Sequence, residues 1–219
     1  MNDSDLELAQ LLCTRLCHDL AGPIGAVAAG VELIGDDPAM ADAETIGLIG
    51  DSSSAASRKL KFLRAAMGLS QNTTGDLKGL VDGYIAATAG PGARIEVAWP
   101  APAALDKASR AFGANWTQAL LNLCLLALEA QPGCRSLELA LETGTAVKVT
   151  LTARTAGGRA VSARDDLRAA ATDGSAAGLN AKTVQAYLAG RMVRAAGGTL
   201  VLTSLADGIS IRADVPAVS

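Results

Sequence analysis

The chain has few aromatic residues and a single histidine. Aromatic residues make up 3% of its 219 residues, whereas hydrophobic residues reach 50%, with alanine and leucine prominent among them. Small aliphatic side chains favour closely packed helices over an aromatic-lined binding surface. The formal net charge is −3, and the Lys and Arg residues are scattered along the sequence. A dedicated nucleic-acid-binding surface is therefore excluded, because such binding needs concentrated positive charge.

The sequence also lacks long apolar runs and cysteine pairs at diagnostic spacings. No uninterrupted apolar run approaches the roughly 18 residues of a membrane span, and the acidic start, Met1–Asp5, does not resemble a signal peptide. We therefore predict a cytoplasmic protein without a membrane partner. Cys13 and Cys17 lie four apart on a predicted helix, far from Cys124 and Cys134. We predict reduced, mostly buried thiols, with neither a disulfide framework nor a metal site.

A long helix is predicted from Ser4 to about Ile34, and it carries His18, the only histidine. At about 100° per residue, His18 points away from a broad apolar stripe and therefore faces outward. The stripe consists of Ala9, Leu12, Cys13, Leu16, Leu20, Ile24, Val27, Val31 and Ile34.

The surroundings of His18 on this helix are low in relief. Gly22 and Gly25 follow it on the same face, and Thr14 and Arg15 flank it. Each glycine inside a helix costs about 0.5–1 kcal/mol relative to alanine. Two glycines here favour close approach by another protein, although helix–helix packing would explain them almost as well.

A second helix follows a break at Gly35–Pro38. We expect Gly35 to end the first helix, Asp37 to cap the second and Pro38 to open it. The second helix has its own apolar stripe, and one hairpin cannot cover two wide stripes. Pairing of two hairpins into a dimeric four-helix bundle would cover both; the alternative is a cover from the rest of the chain.

The pattern changes after the polar stretch Ser70–Gly75. Helices and alternating strands now interleave, which predicts an α/β sandwich. The predicted fold class is thus α+β, with a helical hairpin at residues 1–70 and a sandwich at residues 76–219. Within the sandwich we predict helices at 76–88, 109–130 and 182–196, and strands at 95–99, 137–141, 147–153, 199–203 and 209–215.

Three motifs in order resemble those of dimeric bacterial sensor histidine kinases. His18–Ile24 resembles the phosphoacceptor box, in which an acidic residue follows the histidine and a proline comes five positions after it. Gln118–Leu123 resembles the start of the asparagine box of the ATP-binding domain. Arg194–Val201 resembles the helix-to-strand passage near the end of that domain. The resemblance spans nearly the whole chain.

The departures from the kinase pattern all concern nucleotide binding. Leu126 stands where kinases repeat a magnesium-binding asparagine. Arg154, a donor only, stands where kinases place the aspartate that recognises adenine. The glycine-rich lid is reduced to Gly178–Leu179. A histidine hairpin joined to such a domain, without a sensor region, resembles the ChpT family of histidine phosphotransferases.

This resemblance implies a phosphorelay. In that family a phosphoryl group passes from the receiver aspartate of a hybrid kinase, CckA, to the histidine and then to the regulators CtrA and CpdR. We expect CckA-like, CtrA-like and CpdR-like partners, a homodimer, and no cofactor bound by this chain, with Mg²⁺ held by the partner receiver domain. A soluble autokinase and a non-catalytic adaptor that binds receivers remain the alternatives.

The resemblance also implies roles for individual residues. His18 would be the phosphoacceptor, because a largely neutral imidazole is a nucleophile at cytosolic pH. Asp19 would orient the imidazole or accept its proton, or be a solvated surface charge. The expected receiver contacts are Thr14, Arg15, Gly22, Gly25, Arg154 and Arg159.

Simpler readings exist for some of these residues. Arg15 could be a solvated helix-face cation. The arginines at 154, 159, 164 and 168 could form only a solubilising loop. Gly22 occupies the position where kinases with phosphatase activity commonly carry threonine or asparagine. We therefore expect transfer rather than hydrolysis.

Overall fold

The computed structural model describes residues 3–68, 76–89, 94–156, 165–174, 176 and 178–216. Seven α-helices and five strands occur in these ranges. The helices are α1 Asp3–Asp36, α2 Ala43–Met67, α3 Leu77–Thr88, α4 Pro102–Phe112, α5 Trp116–Ala130, α6 Asp165–Thr172 and α7 Val184–Ala195. The strands are β1 Glu96–Ala98, β2 Cys134–Thr143, β3 Ala146–Thr155, β4 Thr199–Leu205 and β5 Gly208–Pro216.

Helices α1 and α2 form the predicted hairpin, but the cap differs from the prediction. Asp37 caps a 3-10 turn, Pro38–Met40, and its side chain accepts a hydrogen bond from the Ala39 amide at 2.9 Å. Asp42 is the cap of α2, accepting from the Thr45 amide at 2.8 Å. The two helices approach closely, since a Cβ at Gly30 would lie 2.5 Å from Cγ1 of Ile49.

The predicted helix at 109–130 is in fact two helices. Gly113 has a φ of +61° and begins a short 3-10 turn between α4 and α5. A positive φ ends α4 here, because α-helical residues need a negative φ. Glycine adopts this conformation with little strain, whereas other residues do not. The structure also adds α6, which lies in a stretch for which no helix was predicted.

The strands form one sheet in the order β1-β2-β3-β5-β4. Strand β1 pairs in parallel with β2, and the other pairs are antiparallel. Buried and more exposed residues alternate along β3 and β5, as expected for a sheet with one face covered. The helix α5 crosses this buried face and is itself almost wholly buried. Long N-terminal helices followed by a helix-and-sheet unit thus confirm the coarse fold prediction.

The end of α2 lies in the same core as the sheet. Phe62, Leu63 and Ala66 are buried, and the ring of Phe62 lies 4.4 Å from that of Tyr84 between centroids. The fully buried amide of Asn122 on α5 donates to the carbonyls of Ala66 at 2.6 Å and Gln118 at 2.7 Å. It also accepts from Gln185 on α7. Asn122 therefore joins α2, α5 and α7.

The outer half of the hairpin exposes large apolar residues. Ile24, Val31, Ile46 and Leu48 are each more than half exposed in the single chain. By length and composition, the Asp5–Asp36 part of α1 is the single helix in the described ranges that could cross a membrane. Of these exposed residues, Ile24, Val31 and Ile46 belong to the two predicted stripes, so the hairpin alone does not cover those stripes.

The cysteines divide by position. Cys13 and Cys17 on α1 are exposed, contrary to the predicted burial, whereas Cys124 and Cys134 are buried. All four are free thiols, because none of them is paired in a disulfide.

We predict that Asn122→Ala lowers the free energy of unfolding by about 2–3 kcal/mol, because it removes several buried hydrogen bonds and leaves their partners unsatisfied. Denaturant unfolding measures this effect. Asn115→Ala, at the N-cap position just before the same helix, is the matched control, since Asn115 is exposed and makes no side-chain capping bond; it should change stability by less than about 0.5 kcal/mol. Equal effects of the two substitutions would contradict the junction role of Asn122.

Candidate functional site

The imidazole of His18 lies on the outer face of α1, with 84% of its side chain exposed. Its Nδ1 atom is 3.3 Å from Oδ1 of Asp19. This pairing favours the tautomer in which Nδ1 carries the proton, and it leaves the lone pair of Nε2 free toward solvent. The outward orientation predicted from helical periodicity is confirmed.

The carboxylate of Asp19 forms an ion pair with Arg15, which lies one helical turn earlier on α1. The Nε of Arg15 donates to Oδ2 of Asp19 at 3.1 Å, and a second guanidinium nitrogen forms an ion pair with Glu129 at the end of α5. A third contact, of 3.3 Å, goes to the carbonyl of Ala181. Only 14% of the Arg15 side chain is exposed, so it is not the solvated cation of the simpler reading.

Burial and the contact between Glu129 and Arg15 together shift the pKa values of these two residues. Removal from water raises the pKa of Glu129 to about 6, and the positive charge of Arg15 offsets only part of that rise. For Arg15, burial acts to lower the pKa, but Glu129 and Asp19 outweigh it, so the pKa of the guanidinium is raised. The cluster thus keeps Arg15 charged while Glu129 is poised to take up a proton near pH 6.

A groove of about 410 Å³ runs beside His18, between α1 and the sandwich. Its α1 wall consists of Thr14, Arg15, His18 and Asp19. The opposite wall comes from distant parts of the chain, namely Glu129, Leu167, Ala181 and Lys182. Four sequence-predicted site residues therefore meet in one concave surface.

Gly22 and Gly25 lie exposed on the next turns of α1. A Cβ at either position would meet no atom within 4 Å, so the described part of the chain does not require glycine there for packing. By contrast, Gly30 further along is required by the approach of α2. The packing explanation considered for Gly22 and Gly25 is thus not supported within one chain.

Arg154 lies away from the groove, at the end of β3. It forms an ion pair with Asp207 on the β4–β5 turn, with distances of 2.5 and 2.7 Å to the two carboxylate oxygens. Arg159 and Arg164 lie outside the described residues, and Arg168 is on α6. The receiver contacts predicted for Arg154 and Arg159 stay predictions.

The residues of the asparagine-box region contribute to the protein core rather than to an open nucleotide site. The side-chain amide of Asn122 is hydrogen-bonded to Ala66 on α2 and Gln185 on α7, and Leu126, one turn further along α5, is fully buried. Among the described residues, no group of His, Cys, Asp or Glu is suited to hold a metal ion. Gly157 and Gly158, which follow Arg154 in the sequence, lie outside the described residues.

Sequence reasoning missed Glu129 and Lys182. For Glu129 a signal existed, since it is the only charged residue in the apolar stretch from Trp116 to Ala130. A lone charge in a buried helix indicates a partner. Lys182 carries no comparable signal, because an exposed lysine before a helix is ordinary.

Comparison with known proteins assigns the class. Residues 74–207 match the family model described as histidine phosphotransferase C-terminal domain, which covers more than half of the chain. The chain therefore belongs to this histidine phosphotransferase family, and the predicted ChpT-type resemblance is confirmed.

Two phosphotransferases that are similar to this chain agree with this assignment. The chain is 33% identical over 144 residues to the protein phosphotransferase ChpT of Brucella abortus (strain 2308), a match that covers 64% of this chain and 63% of the relative. The matched region thus spans less than two thirds of that relative's length. A solved structure of a bacterial phosphotransferase is 27% identical to this chain, with a TM-score of 0.72. The match covers 97% of this chain and 98% of that structure's chain. The Acinetobacter baumannii histidine kinase AdeS is 10% identical with a TM-score of 0.47, covering 92% of this chain and 98% of that one.

We predict that the stability difference between the wild type and Glu129→Gln depends on pH. Because the pKa of Glu129 is raised on folding, protonation favours the folded state, and this contribution is lost as pH rises through about 6. Relative to Glu129→Gln, the wild type should lose about 1–2 kcal/mol between about pH 5 and about pH 7.5. Denaturant unfolding at several pH values measures it; parallel curves for the two proteins would contradict it.

Proposed function

We propose that this chain is a phosphotransferase that relays phosphoryl groups between receiver domains in a bacterial phosphorelay. His18 takes the phosphoryl group from the receiver aspartate of a hybrid histidine kinase and passes it to the receiver aspartate of a response regulator. The observation that carries this proposal is the position of His18, exposed at the edge of a groove and paired with a carboxylate. Membership of the phosphotransferase family supports it.

The proposed chemistry needs only the imidazole and its neighbour. The Nε2 lone pair attacks phosphorus in line; the N–P bond forms while the aspartyl O–P bond breaks, and the aspartate leaves as a carboxylate. The Nδ1 proton stays on the ring, which becomes positively charged. The Asp19 carboxylate, 3.3 Å from Nδ1, stabilises that charge. The second transfer reverses these steps toward another aspartate.

The receiver supplies the remaining groups in this proposal. Magnesium held by the receiver would supply the charge that neutralises the phosphoryl oxygens, while this chain's part is to position His18. CckA-like, CtrA-like and CpdR-like receivers remain the candidate partners on the strength of the resemblance, and a cytoplasmic location fits such partners. The bare surface at Gly22 and Gly25 supports docking of a receiver along α1.

An autokinase is the less favoured function. Its asparagine box would need Asn122 to face a nucleotide, whereas the amide of Asn122 is fully buried and already hydrogen-bonded. A non-catalytic adaptor would use the same groove but would not need a nucleophile beside a carboxylate. Labelling experiments separate all three.

We predict that radiolabel from a phosphorylated receiver domain reaches the wild-type chain but not His18→Ala, and that labelled ATP alone labels neither. The donor is the receiver domain of a hybrid kinase, phosphorylated with radiolabel before mixing. The label on His18 should be acid-labile. Label from ATP alone would support the autokinase. Receiver binding by both proteins without any labelled chain would support the adaptor.

We also propose that two chains pair through their hairpins to form a four-helix bundle. Ile24 and Val31 on α1 and Ile46 on α2 supply exposed apolar side chains from the two predicted stripes. A membrane-spanning α1 is disfavoured, because the same helix carries the buried ion pair of Arg15 and Asp19 and packs through Leu16 onto the protein core.

We predict that Ile46→Glu converts a dimer into monomers, because a buried charge in the bundle would lack a partner. Light scattering after size-exclusion chromatography measures the mass. Val201→Glu is the control, since Val201 is an exposed apolar residue on β4, outside the hairpin; it should leave the mass unchanged. A wild-type chain that is monomeric at tens of micromolar would refute the bundle.

A further inference from the structure

We infer that Arg15 and Glu129 are positioning residues for phosphoryl transfer, which hold the Asp19 carboxylate toward His18 from the sandwich side. This inference rests on the proposed function of His18. Neither Arg15 nor Glu129 touches the reacting atoms. They act through Asp19, in the order Glu129, Arg15, Asp19, His18.

The guanidinium of Arg15 is fixed from three directions. Its bonds go to Asp19 on the same helix, to Glu129 at the end of α5 and to the Ala181 carbonyl before α7. Arg15 is separated from Glu129 by 114 positions and from Ala181 by 166 positions in sequence. The planar fork of an arginine suits such a site, because its donors point in fixed directions. The sandwich therefore determines where the guanidinium lies.

The guanidinium in turn determines how Asp19 is turned. Oδ2 is bonded to Arg15, so Oδ1 is the oxygen left to face His18. A freely rotating carboxylate on a helix surface would not keep one oxygen beside Nδ1. Asp19 is 13% exposed whereas His18 is 84% exposed, so the carboxylate is held in the protein and the imidazole is presented to solvent.

Each substitution in this chain of contacts has a distinct consequence. Without Arg15, two carboxylates, Asp19 and Glu129, remain in one partly buried place with no guanidinium between them, and they repel each other. Without the charge of Glu129, Arg15 keeps Asp19 but loses its charged anchor on the sandwich. We therefore expect a larger effect for Arg15 than for Glu129.

The single histidine makes this testable without a partner. In ¹⁵N-labelled protein, the ring nitrogens of His18 are the only imidazole signals, apart from any affinity tag, and they report the tautomer directly. The variants are Arg15→Gln, Arg15→Lys and Glu129→Gln. The matched control is Arg212→Gln, which removes an exposed arginine whose Nε lies 3.0 Å from Asp214 on β5.

We expect the wild type and Arg212→Gln to show predominantly the Nδ1–H tautomer and equal transfer rates from a phosphorylated receiver. Arg15→Gln should shift the tautomer toward the mixture of a solvated imidazole and slow transfer about tenfold, on the scale of one lost charge-assisted contact. Glu129→Gln should slow transfer about threefold, and Arg15→Lys should recover part of the loss, because it restores charge without the fork.

Several results would overturn this inference. Wild-type tautomer signals in Arg15→Gln would do so, as would slower transfer accompanied by unchanged signals, which indicates a merely structural role. If Arg15→Gln does not fold, the tautomer signals of His18 and the transfer rates of Arg15→Lys and Glu129→Gln test the inference instead. If the wild type takes no label from any receiver, the proposed function fails, while the tautomer comparison still decides the positioning.

Discussion

Burial of the end of α2 in the core of the sandwich is the constraint on which the rest of the structure depends. Phe62, Leu63 and Ala66 are buried, and Asn122 binds the carbonyl of Ala66. Because α2 is anchored there, α1 is held beside α5 and the segment before α7. Arg15 can then reach Glu129 and Ala181, and the groove beside His18 has two walls.

Much of the fold was predictable because its signals are local. Helical periodicity indicated the outward position of His18, and alternating residues indicated β2, β3 and β5. The errors arose where local signals were equivalent. Asp37 and Asp42 are both good caps, and only the structure decides which one begins α2. Gly113 costs a helix only about 1 kcal/mol, so a continuous helix at 109–130 was as consistent with the sequence as two.

The site was predictable only on its α1 wall. His18, Asp19, Thr14 and Arg15 lie within two turns of one helix, so spacing alone brings them together. Their partners Glu129 and Lys182 come from more than a hundred positions away, and periodicity contains no information about such pairs. Arg15 shows the result: its spacing indicated a surface cation, but a distant carboxylate makes it a buried one.

The glycines of α1 fall into two groups, one packed against α2 and one facing open space. At Gly30 the neighbouring Ile49 leaves no room for a side chain, whereas Gly22 and Gly25 face open space. A helix of this composition gives up about 0.5–1 kcal/mol of intrinsic helical stability at each exposed glycine. Because these two sites make no contact within the chain, side chains could be introduced there to alter the surface beside His18 without disturbing the fold. The exposed glycines and the packed Gly30 could thus be changed independently, although Gly25 and Gly30 are only five residues apart on α1.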